Sequence, residues 1–214
     1  MRKKYFIIAI LFALVGTGCS DESKGDNEPG GNFGAVSVDD ITINLSQGYI
    51  EDYGQIGSSY NLDFSARGAN SEKAASVVYF ELFSSKEDDL ATGTYSLGKY
   101  EDAQSNTYTK WGEIALGSDL IIDSSKNDYT INEGISIRPT SGTFAVSENG
   151  EKYKVSFTGF GTATYYSDGE ITNTKSGVSL EMTYEGDVER YAGQELKTKS
   201  NTAERSKMRR IFVK

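Results

Sequence analysis

The sequence predicts an all-β fold, an antiparallel β-sandwich of about ten strands, with a closed lipocalin-like barrel as the alternative. Two observations carry this. The chain of 214 residues holds 14 Tyr, 10 Phe and 23 Gly but only 2 Pro, a composition suited to strands and tight turns. Short runs of alternating apolar residues recur along it, separated by Gly, Asn, Asp and Ser, which is the pattern of packed antiparallel sheets.

Taken in order, Ile41, Ile43 and Leu45 share one face, with Thr42 and Asn44 outward. Leu62 and Phe64 do the same beside an outward Asn61 and Asp63. The run 77–83 is apolar at both parities and predicts a central strand covered on both sides. Shorter strands are expected at 94–97, 107–116, 119–123, 128–131 and 135–137. The clearest hairpin spans Gly142 to Phe157, with Asn149-Gly150 as a two-residue turn that needs positive φ at both positions. That turn sets Glu148 opposite Glu151, Val146 opposite Tyr153 and Phe144 opposite Val155. It leaves Ala145, Ser147, Lys152 and Lys154 on the other face. Asp168-Gly169 offers a second such turn, with Tyr166 opposite Ile171 and Tyr165 opposite Thr172. Val178, Leu180, Met182 and Tyr184 alternate with Ser179, Glu181 and Thr183. A last strand is expected around Lys207–Val213, because Ile211, Phe212 and Val213 favour strands. Its flanking bases would guard a sheet edge or neutralise the acidic body. Contact with anionic lipid headgroups is the functional alternative.

The first residues carry an address. Arg2, Lys3 and Lys4 precede an apolar run from Tyr5 to Val15, followed by Gly16, Thr17, Gly18 and Cys19. Basic, then apolar, then small residues is the layout of a secretory signal peptide, here 1–18. The apolar run is shorter than the roughly 20 residues of a membrane span. Cys19 is the only cysteine. Residues 19–34 are polar, acidic and Gly-rich and read as a flexible tether. Residues 35–214 suit a single domain.

The cysteine after the small residues resembles the lipobox of bacterial lipoproteins, with Gly16 where an aliphatic residue is usual. The looser boxes of Bacteroidota-type lipoproteins match better, and Ser20, Asp21 and Glu22 resemble their acidic surface-export signal. The segment GTFAVSENGEKYKVSFTG, with the earlier LATGTY, is also similar to a pattern of small Bacteroidota surface lipoproteins with β-rich domains. The resemblance implies a lipid anchor on Cys19 and attachment to the outer membrane, with the domain on the cell surface. Several acyl chains hold a protein firmly where one holds it weakly. With Cys19 acylated no disulfide is available, so the core alone must hold the fold.

Charge is uneven. Residues 20–196 carry 30 Asp and Glu against 12 Lys and Arg, a net of −18, whereas 197–214 carry 7 Lys and Arg against one Glu, a net of +6. An acidic body argues against nucleic acid as a partner. Glu87-Asp88-Asp89 is the densest acidic cluster but lacks the spaced ligands of a calcium loop, and no metal or cofactor is expected. The absence of histidine removes Ser-His-Asp and Cys-His catalysis. Paired carboxylates of the glycoside hydrolase kind survive as an enzyme class, but no motif selects a pair, and the chain is expected not to be an enzyme.

Aromatic residues point to binding. Tyr100, Tyr108 and Trp111 lie in the polar stretch YEDAQSNTYTKW and are the candidate ligand contacts; Tyr49 and Tyr53 lie in a second Gly-containing segment. Exposed aromatic faces stack on sugar rings, while burial in the core is the structural alternative for Trp111. The function expected is a non-enzymatic binding or adhesion module with a glycan or protein ligand. A lipocalin-like carrier of a small apolar ligand and a carboxylate-based glycosidase are the alternatives.

Overall fold

The computed structural model describes residues 32–69, 75–123, 128–149 and 152–192. Cys19, the signal segment, the Asn149-Gly150 pair as a whole and the strand expected at 207–213 lie outside them. The described residues form twelve strands: β1 Phe33–Val38, β2 Ile41–Leu45, β3 Gln47–Ile56, β4 Ser59–Ala69, β5 Ala75–Ser84, β6 Gly93–Leu97, β7 Thr107–Tyr108, β8 Glu113–Asp123, β9 Asp128–Asn149, β10 Lys152–Ser167, β11 Glu170–Gly186 and β12 Val188–Ala192. A 3₁₀ turn, Tyr100–Asp102, sits between β6 and β7. Strand β1 begins inside the segment assigned to the tether.

The strands join one sheet in the order β12-β3-β4-β5-β7-β6-β9-β10-β11-β1-β2, with β8 pairing both β5 and β9. Only β12–β3 and β6–β7 are parallel among these ladders. One edge of β5 is shared, its residues 75–79 pairing with β8 and 82–83 with β7. The facing edge of β9 is shared in the same way by β8 and β6. The pairing therefore closes a small five-strand ring, β5-β8-β9-β6-β7.

Around this ring the sheet folds over so that β3–β5 face β9–β11. The two layers meet through rings: Phe80 lies 5.0 Å from Phe144 and 4.9 Å from Phe157, and Phe64 lies 5.8 Å from Phe144 and 6.0 Å from Tyr184. Edge-on and tilted contacts of this kind add to plain area burial. The far end of the sheet returns to its start, since β2 runs into β3 through the single residue Ser46, whose N–H donates to Arg67 O at 2.9 Å. No ladder joins the outermost strands β12 and β2 among the described residues, so the fold is a curled sandwich that contains the small closed ring.

The strands expected within the described residues are present, with several corrections. The run 77–83 is central and buried on both sides. The 107–116 run is two strands, because 109–112 form a turn that carries the chain from β7 to β8. The pieces at 128–131 and 135–137 belong to one 22-residue strand, β9, which continues into the hairpin. Ile41 is exposed, whereas Ile43 and Leu45 are buried.

The two hairpins came out differently. Asp168 and Gly169 both have positive φ, 51° and 77°, and Tyr166 pairs with Ile171 as expected. A bulge then shifts Tyr165 onto Asn173. In the β9–β10 hairpin, Val146 pairs with Val155, Phe144 with Phe157 and Glu148 with Tyr153. Every partner is displaced by two residues from the Asn149-Gly150 register. The same face is buried, because a shift of two preserves parity. This register opposes Gly142 to Gly159, and the Phe157 ring lies over both. A Cβ on Gly159 would come 2.2 Å from Ser141 O, so only glycine allows this approach.

A polar clamp fastens β12, the parallel edge strand. Arg190 donates to Asp89 Oδ1 at 2.5 Å, to Asp88 O at 2.8 Å and to the Tyr153 hydroxyl. Lys86 reaches the other oxygen of Asp89 at 2.5 Å. Burial pushes the Asp89 carboxyl up, but hydrogen bonds from Lys86, Tyr153 and Arg190 and the Arg190 charge outweigh it and hold the pKa at about 2.

Candidate functional site

The candidate site is built on the outer face of β3–β4–β5, the side turned away from the main core. Strand residues alternate between faces, so the odd positions of these three strands share it. Two adjacent rows cross the sheet there. One runs Tyr49–Ser65–Tyr79–Glu113, and the next runs Glu51–Asp63–Glu81. The sequence reading placed Asp63 and Asn61 in solvent. Instead Asp63 is 7 % exposed and Asn61 1 %, with Glu51 at 8 % and Glu81 at 3 %. The alternation was correct, but the polar parity of β4 is covered too.

A small aromatic cluster covers part of the face. Tyr49, Val77 and Tyr79 pack together with Leu120, Tyr129 and Tyr191. Leu120 and Tyr129 come from the β8–β9 hairpin, and Tyr191 comes from β12. Tyr191 stacks on Tyr49 at 6.3 Å and 28°, and the Arg67 guanidinium lies 5.5 Å from the Tyr49 ring centre. Desolvation raises the Tyr79 pKa well above 10, with the Asp63 and Glu81 charges adding to it. Tyr79 is therefore a fixed donor, and its hydroxyl gives a hydrogen bond to Asp63 Oδ2 at 2.9 Å.

Trp111 borders this face through Thr109. The Thr109 hydroxyl donates to Glu81 Oε2 at 2.7 Å and accepts from the Trp111 N–H at 3.2 Å. The Trp111 ring is half-buried, 5.2 Å from the Lys110 ammonium. Tyr100, on the 3₁₀ turn, borders the same face one row further along, its ring 5.7 Å from that of Phe83. Tyr108 does not belong with them. It is fully buried on the inner side, packed on Phe80 and Phe157 at 5.9 and 5.7 Å, and its hydroxyl donates to Gly142 O at 3.1 Å. Burial alone lifts its pKa to about 12. Its place next to Thr107 on a two-residue strand puts it in the core, and it has no surface to offer a ligand.

Of the predicted contacts, then, Trp111 and Tyr100 flank one face and Tyr108 supports the core. Tyr191, Tyr129 and the three carboxylates were not singled out from the sequence. The signal available was the parity of 47–53 and 61–65, where Gln, Tyr, Glu and Tyr flank Ile50 and where Asn, Asp and Ser alternate with the core residues Leu62 and Phe64. Nothing local in the sequence foretold that β12 would bring Tyr191 beside Tyr49.

The chemistry on hand is hydrogen-bond acceptance by carboxylates next to flat aromatic faces. Among the described residues, no group of three or more His, Cys, Asp or Glu is arranged to hold a metal ion, and no helix is long and apolar enough to cross a membrane. Comparison of the chain with protein-family models, curated proteins and solved structures returns no match.

Proposed function

We propose that this chain is a non-enzymatic binding or adhesion module, tethered to the outer membrane through an acylated Cys19, whose recognition face is the outer side of β3–β4–β5 beside Trp111. One observation carries the reading. Half-buried rings, Trp111, Tyr100 and Tyr191, the last stacked on the buried Tyr49, flank a row of buried carboxylates on a rigid sheet. Saccharides suit that chemistry, since the apolar face of a sugar ring stacks on an aromatic ring. A rigid sheet fixes these groups without a large ordering cost on binding.

The test is a glycan array probed with the domain. Binding of a defined saccharide class, weakened in both Trp111→Ala and Tyr191→Ala, supports the reading. An array without hits, alongside capture of a host or matrix protein by the same face, would redirect it to a protein ligand.

A second reading rests on the same row. Asp63 lies directly opposite Glu81, and paired carboxylates are what glycoside hydrolysis requires. Release of reducing ends from an array hit, abolished by Asp63→Asn, would favour it. Binding without turnover favours the module.

A further inference from the structure

We infer that the side-chain amide of Asn61 is the specificity-determining group of the recognition face. It takes the carbonyl oxygen of an acetamido group, which makes the ligand an N-acetylated saccharide. The inference rests on the reading of this face as a saccharide site and names the class of saccharide. Asn61 stands on the outer side of β4, two residues before Asp63 on the same face, and pairs with the buried Phe83 of β5. It is 1 % exposed and, among the described residues, its amide nitrogen has no hydrogen-bond partner. A buried donor left unmatched costs stability, whereas an apolar side chain of the same shape does not. Such a residue suits a place where a ligand brings the acceptor.

The surroundings of Asn61 provide access and select the acceptor. In β3 the ladder skips from the Asp52–Leu62 pair to the Gln55–Tyr60 pair, so Tyr53 and Gly54 bulge beside Asn61, and bulges are frequent next to functional sites. A Cβ on Gly54 would meet nothing within 4 Å, so space is open there. On the other side the 100–105 turn is fastened to the sheet. The Ser59 hydroxyl, two residues before Asn61, donates to Ala103 O at 2.9 Å and lies 2.8 Å from the Ser105 hydroxyl. The Tyr100 ring lies 5.7 Å from that of Phe83. None of residues 100–102 is buried, so the turn can lift to admit a small group without disturbing the core. Residues 20–196 carry a net charge of −18, which disfavours an anionic acceptor such as a carboxylate or sulfate. A sugar hydroxyl would bring a proton of its own and no apolar part. An acetamido group offers a neutral carbonyl oxygen to Asn61 and a methyl to the rings of Phe83 and Tyr100.

The test is calorimetric titration of the full chain carrying Cys19→Ser with two glycans that differ only at this group. The probes are N-acetylated chitotriose and cellotriose, which carries hydroxyls in place of the acetamido groups. The protein should bind chitotriose about tenfold more tightly, the effect of one hydrogen bond. Asn61→Leu should bind the two alike, with an unchanged or higher melting temperature. Where that variant does not fold, NMR of the Asn61 side-chain amide in the unsubstituted protein decides. Its proton signals should move on adding chitotriose and stay in place on adding cellotriose. Equal binding of the two glycans, a preference that survives Asn61→Leu, or Asn61 signals that ignore saturating chitotriose overturns the inference and leaves the saccharide reading standing. Array hits confined to glycans without acetamido groups do the same. If no glycan binds at all, the saccharide reading fails and the inference fails with it.

Discussion

Two neighbouring rows of the same sheet point opposite ways and are built from opposite materials. Ile50, Phe64 and Phe80 lie side by side facing the core, and one residue further along Glu51, Asp63 and Glu81 lie side by side facing outward. Both rows are buried. The inner row is held by ring packing, which is non-directional and tolerant of small shifts. The outer row is held by specific donors, Tyr79 on Asp63 and Thr109 on Glu81, and would cost stability without them. The difference teaches that alternation in a strand assigns a residue to a face and says nothing about whether that face is wet. A covered polar face is a poor way to gain stability, and for that reason it is where a binding role is sought.

The largest effect should come from the inner row. Phe80→Ala removes a ring shared by Phe144, Phe157 and Tyr108 and should cost about 3–5 kcal/mol in urea unfolding. A smaller loss would mean that the two layers are not joined through these rings. Next is Tyr79→Phe in the outer row, which deletes the donor to buried Asp63 and should cost about 1–3 kcal/mol. A neutral result would mean that the outer face is open to water and that its hydrogen bonds do not matter.

The clamp on β12 gives a pH signature. The Asp89 pKa lies near 2 in the fold against an ordinary 3.8, so its contribution is present above about pH 4. It is lost as pH falls through about 2. Asp89→Asn should flatten the fall of stability across that window and loosen β12 at neutral pH. Equal acid titrations of the two proteins would break the link between clamp and edge strand. The smallest effect belongs to Trp111→Ala. A half-buried residue on a turn should shift stability by under about 1 kcal/mol while ligand affinity drops. Unfolding of this variant would assign Trp111 to the core.

Much of the fold was legible because one face of most strands is apolar. The alternation at 178–184 and the doubly apolar run at 77–83 both reported their true surroundings. The Asp168-Gly169 turn was legible because two positive φ values demand such residues. The β9–β10 register was not, since Asn149-Gly150 and the observed pairing bury the same side chains, and hydrophobic pattern cannot separate registers two apart. Tyr108 was misplaced because two strand residues between polar loops leave no periodicity to read. The face of the candidate site was half legible. Trp111 and Tyr100 stood out as aromatic residues in polar surroundings, while Tyr191 reaches Tyr49 through a parallel pairing of segments some 140 residues apart in sequence, for which no local signal exists.

Trp111 is the only tryptophan in the chain, so its emission reports on the proposed recognition face alone. The most direct measurement is a fluorescence titration of the intact domain with a saccharide selected on the array, repeated on Tyr191→Ala. The account predicts a saturable change in Trp111 emission that follows occupancy and is weakened in the variant. A saccharide that binds with full affinity by calorimetry, yet leaves Trp111 emission unchanged and is indifferent to Tyr191→Ala, would contradict it and move the site to another surface.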